Sequence, residues 1–106
     1  MISDRLLAEA VKRIAAQCQP QQVLLFGSRA RGDQRADSDF DLAVVVQALE
    51  NKWQLESDLY GILFDLPAAF DVLAFDADHW KRWTQVPVAF EHRILGQSQL
   101  VHDASR

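Results

Sequence analysis

Two spacings of apolar residues run through this chain, one typical of helices and one typical of strands. From residue 3 to residue 17, apolar positions recur every three or four residues, which predicts an amphipathic helix. Its apolar face would consist of Ile2, Leu6, Leu7, Ala10, Val11 and Ile14. Ser3 is the predicted N-cap, and Pro20 marks the exit from the helix. A longer helical pattern covers residues 49–66 and stops at Pro67.

Short apolar runs predict the strands. Residues 23–26 predict a buried strand that ends at Gly27, and residues 40–46 and 70–75 predict two more. Between the first two strands, residues 27–38 are rich in Gly, Ser, Arg and Asp, which predicts a loop or a short helical turn.

The C-terminal third has a less regular pattern, particularly around Trp80 and Trp83. Residues 87–95 predict a short helix that begins with Pro near its first position, with Gly96 as its C-cap. Leu100-Val101 predicts a short edge strand. The order of the elements predicts a small α/β or α+β domain, in which helices pack on a sheet.

Length, charge and cysteine usage narrow the classes of function. The chain has 106 residues, which predicts one small domain over residues 1–106 rather than two. A formal charge of −4 argues against non-specific nucleic-acid binding, because that affinity depends on cations facing phosphates. Neither a membrane-spanning run nor a signal-peptide layout is present, so we expect a cytoplasmic protein with no membrane partner. Cys18 is the only cysteine, which excludes an internal disulfide.

Asp39 and Asp41 lie at the start of the second predicted strand. Side chains alternate along a strand, so both carboxylates point to one face while Phe40 points to the other, toward a core. About 7 Å apart, the two charges repel each other unless a cation lies between them. Such oxygen ligands suit Mg²⁺, which keeps several waters and takes further ligands from substrate phosphates. Asp71 opens the third strand and would complete a two-metal site if that strand pairs with the second.

A phosphate site is predicted just before these carboxylates. Gly27 allows a phosphate to approach the backbone closely, and N–H groups at a turn or helix start bind anions. The Ser28 hydroxyl adds a donor, and Arg29 and Arg31 supply positive charge for a polyphosphate. A phosphate cradle beside a metal-binding edge is the combination that nucleotidyl transfer requires.

These motifs resemble a known family. Gly27-Ser28, followed after ten residues by Asp39-Phe40-Asp41, is similar to the signature of the DNA polymerase beta-like nucleotidyltransferase superfamily, in particular its minimal, MNT-type branch. Asp71 falls where that family carries its third metal-binding carboxylate. The resemblance covers nearly the whole chain and is loose after Asp76. It implies a small mixed β-sheet with helices packed on it.

The resemblance also implies a function. Members of this branch are often encoded with a HEPN-domain RNase toxin and act as antitoxins, some by transferring AMP from ATP to a tyrosine of the toxin. The expectation is therefore an enzyme that uses ATP and two Mg²⁺ ions and forms a hetero-oligomer with a HEPN toxin. Asp39 and Asp41 would hold the metal that accompanies the triphosphate. Asp71 would help to bind the second metal and would accept the proton of the acceptor hydroxyl.

Simpler interpretations of the same residues remain open. Asp-x-Asp is common at solvated strand starts, Asp71 could be a surface residue of an edge strand, and Arg31 could form an ordinary surface ion pair. Two other functions also fit the motifs. The chain could neutralise a toxin by binding alone, or it could transfer a nucleotide to a small molecule such as an aminoglycoside.

Overall fold

The structure is a computed structural model, which describes residues 4–35 and 38–105. Its elements in chain order are α1 (Arg5–Cys18), β1 (Gln22–Phe26), α2 (Ser28–Arg31), β2 (Phe40–Val46), α3 (Lys52–Leu63), β3 (Phe70–Asp76), α4 (Ala77–Trp83), α5 (Phe90–Gly96) and β4 (Gln99–Asp103). No helix in these ranges is long and apolar enough to cross a membrane.

The strands form one mixed sheet in the order β3-β2-β1-β4. β1 pairs antiparallel with both β2 and β4, whereas β2 and β3 are parallel. Parallel neighbours need a long crossover connection, which α3 provides here. The turn after β1 therefore lies at the same end of the sheet as the starts of β2 and β3. The predicted mixed sheet and the short edge strand near the C-terminus are confirmed. The third strand also pairs beside the second, which is the condition under which Asp71 would join the other two carboxylates.

Alternation along the strands divides the core between the two faces of the sheet. One face packs against α1 and α3, and its buried strand residues are Val23, Leu25, Phe40, Leu42, Val44, Val46 and Val72. The other face packs against α4 and α5 through Leu24, Ala43, Val45, Phe75, Trp80 and Ile94. The predicted direction of Phe40, toward a core, is confirmed by its exposure of 2%.

The N-terminal ends of both long helices are set by caps that the sequence patterns did not identify. Ser3 lies outside the described residues, and the cap of α1 is Asp4, whose carboxylate accepts from the N–H groups of Leu6 and Leu7 at 2.9 and 3.1 Å. In α3, the Asn51 side chain accepts from the N–H of Gln54 at 3.0 Å, so this helix begins later than predicted. It also ends earlier, at Leu63, where the chain continues as a turn.

Two predictions for the C-terminal third were wrong. The stretch around Trp80 and Trp83 is a helix, α4, because the Asp76 carboxylate caps it by accepting from the N–H groups of Asp78 and His79. With Trp80 as its only buried residue, α4 has no periodic apolar stripe that would predict it. The last helix, α5, begins at Phe90 rather than near Pro87, and its C-cap is Gln97.

Candidate active site

The turn after β1 requires glycine at position 27 for two structural reasons. Gly27 has a φ of 75°, a conformation that costs little only for glycine. A Cβ atom at this position would lie 2.1 Å from Oδ2 of Asp41. The backbone of Gly27 therefore packs directly against the carboxylate of Asp41, and any larger residue would displace that group.

Ser28 begins the single helical turn α2. The Gly27 carbonyl accepts from the Arg31 N–H at 3.1 Å, and Gly32, with a φ of 84°, ends the turn. The N-cap of this turn is Gly27, which has no side chain to bond to the first N–H groups. The first N–H groups of a helix have no partner inside it, so this turn offers donors beside the Asp41 carboxylate.

The three candidate carboxylates interact at the start of the parallel strand pair. Asp41 pairs in register with Asp71, and residues paired in this way share one face of the sheet. Asp39 is exposed and precedes β2 by one residue. Burial raises the pKa of Asp41, and the charges of Asp71 and Asp39 raise it further, against an opposing effect of Arg31. The structure thus brings the predicted residues into one electrostatic cluster.

The donor set suits a magnesium ion that arrives with its nucleotide. Among residues 4–35 and 38–105, no group of three or more His, Cys, Asp or Glu side chains is arranged to hold a metal ion unaided. Mg²⁺ does not need such a cage, because it is commonly held by one or two carboxylates together with waters and substrate phosphates. Asp41 and Asp71 lie side by side on neighbouring strands, and Gly27 packs against Asp41. These two carboxylates meet that requirement.

The two predicted phosphate-binding arginines have different surroundings. Arg29 donates from Nε to the Ser38 carbonyl at 3.0 Å, and its guanidinium lies 3.9 Å from the centre of the Phe40 ring. Phe40 faces the α1 and α3 side of the sheet, so Arg29 is held on the side opposite to Asp41.

Arg31 lies closer to the carboxylates. Its charge counteracts the rise in the Asp41 pKa, and it contacts Asp33 at 3.4 Å and Gln97 at 3.3 Å. An exposed ion pair of this length is weak, so Arg31 can exchange Asp33 for a phosphate at small cost. Phosphate contact by either arginine stays a prediction.

Tyr60 is a further residue of this region that sequence reasoning missed. Its hydroxyl donates to Oδ1 of Asp71 at 2.9 Å and accepts from the N–H of Val72 at 3.0 Å. Burial raises the pKa of the Tyr60 phenol, and the hydrogen bond and charge of Asp71 add to the effect. Only the packing of α3 along β3 reveals this contact, because nothing in the local sequence connects Tyr60 with Asp71.

Solved structures share this fold. A protein of Sulfolobus solfataricus, provisionally described as a nucleotidyltransferase, is 21% identical and aligns with a TM-score of 0.67 over 96% of this chain and 81% of its own. A chain of a toxin–antitoxin structure with AMP-PNP is 20% identical, with a TM-score of 0.55 over 91% of this chain and 73% of its own. A chain of a mutant of the toxin–antitoxin MntA-HpeT is 23% identical, with a TM-score of 0.56 over 92% of this chain and 72% of its own.

Sequence comparison identifies the family of this chain but no individual curated relative. Comparison with curated proteins finds no match. The sequence profile of the family described as polymerase beta, nucleotidyltransferase, matches residues 9–106. The chain therefore belongs to the polymerase beta nucleotidyltransferase family.

Proposed function

We propose that this nucleotidyltransferase transfers AMP from Mg²⁺-ATP to a hydroxyl group, that of a tyrosine, on a partner HEPN toxin and thereby acts as an antitoxin. The observation that carries the proposal is the register pair Asp41 and Asp71, placed beside the tightly packed turn at Gly27. The two carboxylates supply charge for a metal, and the turn supplies hydrogen-bond donors for phosphates. Nucleotidyl transfer needs both together.

Each residue has a role in the proposed reaction. Gly27 and Ser28 bind the triphosphate through backbone N–H groups and the Ser28 hydroxyl, with Arg31 adding positive charge. Arg29, also predicted to contact a phosphate, would first have to leave its contact with the Phe40 ring on the opposite side of the sheet. Asp39, Asp41 and Asp71 hold Mg²⁺, which neutralises phosphate charge when bound. The acceptor oxygen forms a bond to the α-phosphorus, the bond to the β-phosphate oxygen breaks, and pyrophosphate leaves. Asp71 takes the proton of the acceptor hydroxyl.

A protein acceptor is supported by the surface of the chain as well as by its relatives. Two of the structures that share the fold are toxin–antitoxin structures, and one of them was crystallised with AMP-PNP. Large apolar side chains are exposed at Trp53, Phe64 and Val88, by 82%, 89% and 91%. Trp and Phe are enriched at protein–protein interfaces, which fits a protein acceptor. A toxin in the same compartment, the cytoplasm, would cover these exposed side chains.

Labelled nucleotide tests the proposal. The chain is incubated with Mg²⁺, ATP labelled on the α-phosphate and the protein encoded by the adjacent gene. Asp41→Asn should abolish labelling, because it removes a ligand charge without changing side-chain volume. Asp58→Asn is the matched control, since Asp58 lies on α3 and accepts from the Gln54 side chain at 2.8 Å. Equal labelling by Asp41→Asn and the wild type would refute the role of Asp41.

The exposed apolar residues also favour a second candidate, an antitoxin that acts by binding alone. The two functions differ in what Asp41→Asn does to toxicity. A catalytic antitoxin loses protection with this variant while still binding its partner. A binding antitoxin keeps protection and loses it only when apolar contacts are removed, for example by Phe64→Ser.

A further inference from the structure

One side of α3 covers the exposed edge of the sheet. β3 is an edge strand, so the backbone groups on its outer side have no neighbouring strand to pair with. Three α3 residues, each one turn apart, bond to these groups instead. Lys52 donates to the Ala74 carbonyl, Glu56 accepts from the Ala74 N–H at 2.9 Å, and Tyr60 accepts from the Val72 N–H at 3.0 Å.

Tyr60 differs from the other two because it makes a second bond. The same hydroxyl that accepts from the Val72 backbone donates to Oδ1 of Asp71 at 2.9 Å. One oxygen atom thus connects a carboxylate to the backbone of the next residue. Within the described ranges, no group donates to the other oxygen of Asp71, which is left available for a ligand.

We infer that Tyr60 is a positioning residue, which holds the Asp71 carboxylate in the orientation needed to bind metal and to accept the acceptor's proton. The inference rests on the proposed function, since it requires Asp71 to be a ligand. Asp71 is exposed at an edge strand, where a short carboxylate otherwise samples several rotamers. A donor fixed by the α3 backbone removes that freedom before the ligand arrives. Groups that orient a metal ligand in this way typically change metal affinity or activity by about 10–100-fold when removed.

The test uses Mn²⁺ as a spectroscopic substitute for Mg²⁺. Mn²⁺ affinity is measured by electron paramagnetic resonance in the presence of a non-hydrolysable ATP analogue, so no acceptor is needed. Tyr60→Phe should weaken Mn²⁺ binding by about 10–100-fold. Glu56→Ala is the matched control, because it removes a bond to the same strand edge without touching Asp71. It should lower the melting temperature, as Tyr60→Phe does, while leaving Mn²⁺ affinity unchanged.

A double-mutant cycle establishes whether Tyr60 acts through Asp71. In an Asp71→Ala background, Tyr60→Phe should cause no further loss of Mn²⁺ affinity, because the group that it orients is absent. Where transfer to the partner is measured, Tyr60→Phe should lower kcat and leave the KM for ATP nearly unchanged, since the triphosphate contacts are intact.

Three results would overturn the inference. Wild-type Mn²⁺ affinity in Tyr60→Phe, with a melting temperature lowered as in Glu56→Ala, would make Tyr60 a structural residue only. Unaltered Mn²⁺ affinity in Asp71→Ala would remove Asp71 from the site, and so refute that part of the proposed function as well. Mass spectrometry that finds AMP on Tyr60 after incubation with Mg²⁺-ATP would make Tyr60 an acceptor rather than a positioning residue.

Discussion

The two faces of the sheet differ in how completely their side chains are buried. On the α1 and α3 face, β2 is buried along its whole length, from Phe40 at 2% exposure to Val46 at 6%. On the α4 and α5 face, Val45 and Phe75 are covered at one end, while Asp41 and Asp71 remain accessible at the other. The same strand therefore stabilises the fold on one side and concentrates like charges on the other. A site that binds a metal cation together with an anionic nucleotide needs an accessible surface whose negative charges are not already neutralised by the protein.

The largest expected effect comes from the covered face. Leu42→Ala removes a fully buried side chain next to Asp41, and we expect a loss of about 2–5 kcal/mol in the free energy of unfolding. Chemical denaturation measures the loss. Leu95→Ala, at a residue that is 44% exposed, is the control and should cost much less. Equal losses for the two variants would contradict the assignment of the core.

A smaller effect on stability, with a large effect on the site, is expected at Gly27. Gly27→Ala must strain a positive φ and move the Asp41 carboxylate, which we expect to cost about 1–3 kcal/mol. Nucleotide transfer should fall about a hundredfold, as misplacement of a reacting group by about 1 Å can do.

Gly61→Ala is the control for this variant. A Cβ atom at Gly61 meets nothing within 4 Å, and alanine favours a helix interior by up to about 1 kcal/mol. Gly61→Ala should therefore keep full activity with equal or higher stability. Full activity in Gly27→Ala would show that the contact between this turn and Asp41 is unimportant.

The smallest effect concerns charge repulsion on the open face. The pKa of Asp41 is raised in the folded state by burial and by Asp71 and Asp39, so the native state binds this proton more tightly than the unfolded state. Ionised Asp41 therefore destabilises the metal-free fold above that pKa, and the penalty disappears as the pH falls through it. Asp41→Asn should be more stable than the wild type at neutral pH, by roughly a few tenths of a kcal/mol because solvent screens the charges.

Urea denaturation across pH checks this effect. The advantage of Asp41→Asn should disappear toward acidic pH, where Asp41 itself is protonated. An advantage that is absent at neutral pH, or that grows as the pH falls, would contradict the repulsion.

The sequence predicted those parts of the fold that depend on a regular pattern of apolar and polar residues. Strand alternation placed Phe40 and Asp41 on opposite faces. The position of Asp71 at the start of the third predicted strand brings it beside Asp41 because that strand does pair with the second. Helix α4 was missed because it depends on a single cap, Asp76, and one buried tryptophan rather than on a periodic stripe.

The sequence predicted the positions of the carboxylates in the site better than those of the arginines. Local sequence predicted a phosphate contact for Arg29, but its guanidinium lies against the Phe40 ring, a contact between two elements that spacing does not predict. The bond between Tyr60 and Asp71 joins residues that are 11 positions apart on two different elements, and it arises only from the position of α3 along the sheet edge. Contacts of this kind follow from tertiary packing, which neither spacing nor composition encodes.

We propose that the open end of the sheet binds a metal–nucleotide complex through Asp41. Thermal melts of the wild type and Asp41→Asn, with and without Mg²⁺ and a non-hydrolysable ATP analogue, test it most directly. At a hundredfold excess over the dissociation constant, a ligand that binds only the folded state adds about 2.7 kcal/mol. For a domain of this size each kcal/mol is worth roughly 4–8 °C, so the wild-type melting temperature should rise on the order of 10 °C or more. Asp41→Asn should start at the same temperature or higher and gain much less. An Asp41→Asn variant that keeps the full ligand-induced rise would contradict the account.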